Sequence, residues 1–147
     1  MLIIDAHLDL SWNAIQGNRN LLDSTYTIRA RERKQNTVAL PEMRKGRIAL
    51  SVATLFGRCT GQVTSHADYG STTQAYGVTQ GQLAYYRALE QEGHVRIITV
   101  RAGLDSHWAA LEAWEANQDG LPPPGFLLSM EGVDSLFDPS HPDAWYP

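Results

Sequence analysis

Four polar side chains interrupt or end apolar runs of this chain, and their types suit metal binding. The run LIIDAHLDL at the start carries Asp5, His7 and Asp9, and the later run FLLSMEG carries Glu131. Imidazole nitrogen and carboxylate oxygen both suit zinc, and a catalytic zinc site keeps one position open for water. His7, Asp9 and Glu131 are therefore candidate ligands of one metal ion.

Strand geometry would bring these ligands to one place. Alternate residues of a strand lie on the same face, so Asp5, His7 and Asp9 share a face, with His7 and Asp9 about 6.6 to 6.8 Å apart along the strand. In α/β barrels the functional side chains collect at the carboxyl ends of the strands, and His7, Asp9 and Glu131 all occur at such ends. Three candidate ligands are thus expected at one rim.

Spacing alone leaves other interpretations open. For His7 and Asp9, an ion pair or polar groups bonded to loops explain the pattern as well as metal binding does. Glu131, taken alone, is better explained as a surface or helix-capping carboxylate. His66 and Asp68 repeat the H-x-D spacing, but in a stretch rich in Gly and Ser where no strand fixes a common direction.

The other three histidines, His94, His107 and His141, have no ligand-like neighbours and are expected to face solvent. Residues 57–77 form a long polar connection, which is interpreted either as a binding loop or as a merely mobile one.

The elements that would position these residues alternate along the chain. Period-two alternation and β-branched residues predict strands at 2–10, 47–56, 94–100 and 126–132. In the first strand the even-numbered residues form the apolar face. In the second, Ala49, Ser51 and Ala53 form a small face that is typical of a crowded interior.

Helical spacing of apolar residues predicts helices between the later strands. One would begin at Thr79, which has capping-box spacing to Gln82, and the next at Asp105. The order strand, helix, strand, helix, strand predicts parallel βα units and an α/β fold.

Composition limits the classes of function. The chain has 147 residues, 43% of them apolar, enough for one globular domain. Its net charge of −4 and lack of a basic run argue against a nucleic-acid partner. The lone Cys59 excludes an internal disulfide, so we expect a cytoplasmic protein. No apolar run approaches the roughly 20 residues of a membrane helix, so we expect no membrane partner.

Two segments resemble the membrane dipeptidase (renal dipeptidase) family of zinc hydrolases. IDAHLDLSWN resembles the D-x-H-x-D strand that opens the family, followed by a Leu and often a Trp, and LLSMEGVDSL resembles its later strand ending in Glu-Gly. LPEMRKGRIALSVATLF, between them, is similar to the family's leucine-proline turn, glycine and strand. The resemblance extends over nearly the whole chain.

The resemblance implies a (β/α)8 TIM-type barrel with parallel strands, outer helices and a two-zinc centre. By that resemblance, His7 and Asp9 would bind the first zinc, and Glu131 would bridge both ions and be catalytic. The ions would activate a water that attacks a dipeptide. Asp5 would be a supporting carboxylate, as metal-bound imidazoles commonly require.

The resemblance also implies that residues 1–147 form only the N-terminal half of such a barrel domain. The family continues for about as many residues again, with two further histidines for the second zinc, whereas a whole barrel needs about 250 residues. An incomplete barrel exposes strand edges, so we expect a weakly stable chain that associates with itself. With part of the ligand set, it should bind zinc weakly and hydrolyse dipeptides at background rate.

Other functions remain as alternatives. The chain could be an amidohydrolase acting on another small amide, because substrate choice resides in loops. It could instead be a non-catalytic barrel remnant or an interaction module. Iron or manganese could occupy the same ligands in place of zinc.

Overall fold

The computed structural model describes residues 1–32, 36–61, 68–118 and 120–136. Its helices and strands follow one another along the chain as β1 Ile3–Leu8, α1 Leu10–Ile15, α2 Thr25–Glu32, α3 Leu40–Lys45, β2 Ile48–Phe56, β3 Arg58–Cys59, β4 Asp68–Tyr69, α4 Thr72–Gln91, β5 Arg96–Ile97, α5 Arg101–Asn117 and β6 Gly125–Glu131. Among the helices of these ranges, none is long and apolar enough to cross a membrane.

Four strands form one parallel sheet in the order β1, β2, β6, β5. The predicted α/β fold with parallel strands is confirmed at this level. β5 lies at the edge outside β6, rather than between β2 and β6, so the strands are not neighbours in chain order. β3 and β4 pair separately from this sheet.

The β2–β6 ladder is the regular part of the sheet. It runs without a register shift from the pair Leu50 and Gly125 to the pair Phe56 and Glu131. The small residues of β2 are buried as predicted, with Ala49, Ser51 and Ala53 all inaccessible or nearly so. Burial on both faces is typical of a central parallel strand covered by helices.

β1 is less regular than the predicted alternation. Its register on β2 shifts between Ile3 and Ile4 and again between Asp5 and Leu8. A shift of one residue exchanges the two faces of a strand, so alternation does not run unbroken through β1. The prediction that one strict face carries Asp5, His7 and Asp9 was therefore too simple.

The predicted apolar face of β1 is partly open. Ile4 is 59% exposed and Ala6 is exposed as well. The apolar face that the alternation predicts is thus not fully buried, because α5 does not close over β1. It leaves a groove that Ile4 lines together with Leu50 and Trp108.

Both long helices begin earlier than predicted. α4 begins at Thr72, where Ser71 is the N-cap and its hydroxyl accepts a hydrogen bond from the Gln74 N–H at 3.2 Å. Thr79, the predicted cap, lies inside the helix and donates its hydroxyl to the carbonyl of Ala75. The predicted start at Asp105 was also wrong, because α5 begins at Arg101 with Val100 as its N-cap. Of the predicted strand 94–100, only Arg96–Ile97 forms a strand.

The core lies between the sheet and α4. Tyr86 and Phe126 are fully buried and meet edge to face, with ring centroids 5.5 Å apart. Leu55 and Leu89 pack in the same cluster. Aromatic and aliphatic burial of this kind is the main source of folding free energy, so β2, β6 and α4 form the stable centre that carries the sheet edge.

His107 was expected to face solvent, and this prediction was wrong. It is 1% exposed, and its Nε2 lies 2.8 Å from the carbonyl oxygen of Ala49. Since a carbonyl only accepts hydrogen bonds, Nε2 carries the proton. The imidazole lies against Gly125, the first residue of β6, and a Cβ on Gly125 would come within 2.7 Å of Nε2.

We predict that Gly125→Ala destabilises the protein by about 1–3 kcal/mol, because the added methyl would displace a buried imidazole that has no free space. Gly81→Ala is the matched control, since nothing lies within 4 Å of its Cβ position in α4. It should stabilise the protein by about 0.5–1 kcal/mol. Urea unfolding measures both changes, and equal stability of the two variants would contradict the prediction.

Two adjacent tyrosines link stability to alkaline pH. Burial raises the pKa of Tyr85 to about 12 and that of Tyr86 to about 12. Each neutral phenol therefore stabilises the fold fully below pH 10, the unfolded pKa, and loses that contribution as the pH rises towards 12.

Tyr85→Phe should remove part of this loss, because phenylalanine does not ionise. We predict that the stability of the variant relative to the wild type rises between pH 10 and pH 12. Urea unfolding at several pH values in this window tests the prediction. A difference between the two proteins that stays constant with pH would contradict it.

Candidate metal centre

The chain places His7 and Asp9 around the turn from β1 into α1. His7 is the penultimate residue of β1, and Asp9 is the N-cap of α1 rather than part of the strand. The carbonyl of Asp9 accepts hydrogen bonds from the backbone N–H and the side-chain Nδ2 of Asn13, at 3.0 and 2.8 Å. The Asp9 carboxylate makes no capping hydrogen bond, so it is available for another role.

Glu131 lies on the other side of β2 from His7 and Asp9. It is the last residue of β6 and the register partner of Phe56, the last residue of β2. Gly132 follows with φ of 81°, a left-handed conformation that costs glycine little, and the chain turns away from the sheet there. The carboxylate therefore stands at the carboxyl edge of the sheet, as predicted.

The structure brings the three predicted ligands together. His7 Nε2 lies 3.3 Å from Asp9 Oδ1 and 3.5 Å from Glu131 Oε2. One ligand atom from each residue lies within 4.8 Å of the others. Metal–ligand bonds of about 2.1 Å at tetrahedral angles put ligand atoms roughly 3.4 Å apart, so these separations fit one small divalent ion.

One oxygen of the cluster has no hydrogen-bond partner among the described residues. Asp9 Oδ1 is buried from solvent, yet it accepts no hydrogen bond. His7 Nε2 lies 3.3 Å away but not in hydrogen-bonding geometry. A buried carboxylate oxygen without a donor is costly. A cation at the cluster would satisfy it, so the donor set fits a metal ion chemically as well as by distance.

The cluster is open to solvent on its outer side. The side chains of His7, Asp9 and Glu131 are 54%, 38% and 50% exposed. A ligand could therefore reach an ion held there. The arrangement can bind a cation through one nitrogen and two carboxylates and still leave an accessible position, as catalytic zinc sites do.

Asp5 supports His7 through the backbone. Its Oδ1 accepts a hydrogen bond from the His7 N–H at 3.0 Å. The predicted role was a carboxylate that supports a metal ligand, which in most sites acts on the imidazole ring. Here the contact holds the main chain at the point where the register of β1 shifts.

The second H-x-D copy does not form a comparable cluster in the part of the chain that is described. His66 and also His141 lie outside the described residues. Asp68 is buried and its carboxylate accepts from Nε and Nη2 of Arg58, the latter at 2.9 Å. These bonds raise the pKa of the Arg58 guanidinium. His94 pairs with Glu92 at the surface, 3.4 Å away.

Two residues near the cluster had no predicted role. Asn13 holds the Asp9 turn, and Asp134 accepts a hydrogen bond from the Cys59 N–H at 2.9 Å, which ties the segment after β6 to β3. The spacing of Asp9 and Asn13, four residues apart at a helix start, could have indicated the first contact. No pattern in the sequence marks the second, because it joins residues 75 positions apart.

Comparison with known proteins adds support for the fold. No protein-family model and no curated protein sequence matches the chain. Among solved structures, the chain is similar to the crystal structure of the dipeptidase AC, a metallopeptidase, with a TM-score of 0.63 and 16% sequence identity. The match covers 92% of this chain and 36% of that one, so the chain spans just over a third of the length of the solved structure. The chain thus has an α/β arrangement that also occurs within a metallopeptidase.

Proposed function

We propose that the chain is the N-terminal part of a zinc-dependent dipeptidase of the (β/α)8 barrel type and carries part of its metal centre. The observation that supports this most directly is the meeting of His7, Asp9 and Glu131 at one edge of the sheet. They come from the ends of two strands that are not neighbours. The likeness to a dipeptidase structure is consistent with this proposal.

In the proposed site, the ligand atoms are His7 Nε2, Asp9 Oδ1 and the carboxylate oxygens of Glu131, which also adds a negative charge. Because a carboxylate has two oxygens, Glu131 could hold two cations side by side, which is why we also propose it as the catalytic residue. A bound zinc ion would lower the pKa of a coordinated water and polarise a carbonyl. Asp5 keeps the main chain of His7 in place through its 3.0 Å hydrogen bond.

The proposed substrate is a dipeptide or a related small amide. The cluster lies at an exposed rim rather than in a closed cavity, so a short substrate could reach it without a channel. An amidohydrolase acting on a different small amide would use the same ligands, and a comparison of dipeptides with other amides separates the two.

Metal binding is the first test of the proposal. Cobalt(II), a spectroscopic substitute for zinc, should bind the 147-residue chain and give visible absorption bands that zinc displaces. His7→Ala and Glu131→Gln should each weaken the affinity by about 10-fold or more, because each removes a ligand or its charge.

His94→Ala is the control for this measurement, since His94 pairs with Glu92 away from the cluster. It should bind cobalt as the wild type does. Binding that is lost in the control but retained in His7→Ala would assign the metal to other residues and contradict the proposed site.

Hydrolysis is the second test. We expect the zinc-loaded 147-residue chain to cleave dipeptides at background rate, because His7, Asp9 and Glu131 are only part of the ligand set that the resemblance implies for a two-zinc centre. Any zinc-dependent increment over that rate should be lost in Glu131→Gln, which removes the bridging charge. Product amino acids are quantified by chromatography.

The matched control is Glu115→Gln, a charge change on the exposed surface of α5. It should leave the zinc-dependent increment unchanged. Full retention of the increment in Glu131→Gln would contradict the catalytic role, and rapid turnover by the wild type would contradict the expectation of a half site.

A further inference from the structure

The proposed metal ligands meet only if three strand ends keep fixed positions. β1 and β6 do not touch each other in the sheet, because β2 lies between them. The distance from Asp9 to Glu131 therefore depends on how the end of β2 is held against the turn after β1. That turn lies just beyond the irregular part of β1, where the ladder itself gives weak control.

Gln82 of α4 holds the end of β2 by its main chain. Its Oε1 accepts a hydrogen bond from the Phe56 N–H at 2.7 Å, and its Nε2 donates to the Phe56 carbonyl at 2.6 Å. The amide thus bonds both polar groups of one residue, as a neighbouring strand would. Phe56 is the register partner of Glu131, so this contact acts one residue pair away from a proposed ligand.

The same helix holds the turn after β1. Tyr86, one turn after Gln82, accepts a hydrogen bond from the Ser11 N–H at 3.0 Å and donates to the Thr54 carbonyl at 3.1 Å. The Ser11 hydroxyl lies 3.1 Å from the Thr54 carbonyl and 3.2 Å from Gln82 Oε1. Ser11 is two residues after Asp9.

The α4 network is formed by Ser11, Thr54, Phe56, Gln82 and Tyr86, and all of these except the partly buried Phe56 are shielded from water. Ser11, Gln82 and Tyr86 are 0% exposed. A buried polar group that loses its partner is expensive, so a satisfied network of this kind permits one arrangement of the groups it joins.

We propose that Gln82 is a positioning residue for the metal site, with Ser11 and Tyr86 as its partners. α4 holds the end of β2 and the turn after β1 at the separation that lets Asp9, His7 and Glu131 share one ion. This inference rests on the proposed function, because it assigns the network's role to that site. It differs from a general role in stability, since the helix contributes to the core through other residues, such as Leu89.

The test compares two substitutions in α4. Gln82→Met keeps an unbranched side chain of similar length and removes both bonds to Phe56. Leu89→Ala removes core packing on the same helix and touches no polar group of the network. Cobalt(II) affinity, the visible spectrum of the bound cobalt and the urea midpoint are measured for each folded protein.

We expect Gln82→Met to weaken cobalt binding by about 10-fold and to change the visible spectrum, as loss of supporting contacts does at other metal sites. Leu89→Ala should lower the urea midpoint at least as much as Gln82→Met does. Its cobalt affinity should stay within about two-fold of the wild type, because distant sites act nearly independently. A purely structural role for Gln82 predicts an unchanged spectrum.

Ser11→Ala is the second variant and replaces Gln82→Met if that protein does not fold. It removes only the hydroxyl contacts, and a smaller loss of affinity, about three-fold, is expected with the same spectral change. Wild-type affinity and spectrum in the folded variants would overturn the positioning role.

The control that separates this outcome from failure of the proposed function is His7→Ala. If the wild type binds cobalt and His7→Ala binds it equally well, the metal site itself is overturned, and the positioning role with it. Binding that depends on His7 but not on Gln82 or Ser11 overturns the positioning role alone.

Discussion

The β2–β6 ladder is the constraint on which the candidate site depends. Its register places Glu131 beside Phe56 at the carboxyl edge, and β1 reaches the same edge from the opposite side of β2. A shift of one residue in the ladder would turn Glu131 to the other face of the sheet. The ladder is regular and β2 is mostly buried, whereas the side chains of His7, Asp9 and Glu131 are 38–54% exposed. A stable centre thus carries a rim whose polar groups are free to bind a ligand.

Several polar groups of the fold follow the same division. Groups that hold the backbone are buried and paired, as His107 on Ala49 and Gln82 on Phe56 show. At the rim, by contrast, Asp9 makes no capping bond, and its Oδ1 has no donor among the described residues. Local structure would be more stable if this carboxylate capped α1. The proposed binding role would explain why it is instead directed at His7 and Glu131.

Much of the fold and the members of the candidate cluster could be predicted from local patterns. β2 and β6 are continuous apolar runs, and polar residues at the ends of such runs indicated His7, Asp9 and Glu131. The start of α4 was missed because Gly77 and Gly81 weaken a helical pattern that packing on the sheet overrides. His107 was misassigned because its partner, Ala49, is 58 residues away. The register shifts in β1 and the place of β5 depend on such long-range contacts too.

Sequence separation within the β2–β6 ladder has a consequence for how the chain folds. Leu50 pairs with Gly125, and the loop between them must close before the ladder forms. Contacts this distant form slowly, because loop entropy is lost before the pairing compensates for it. His7 and Asp9 leave the ribosome well before Glu131, the last residue of β6. The three candidate ligands are therefore brought together late in folding.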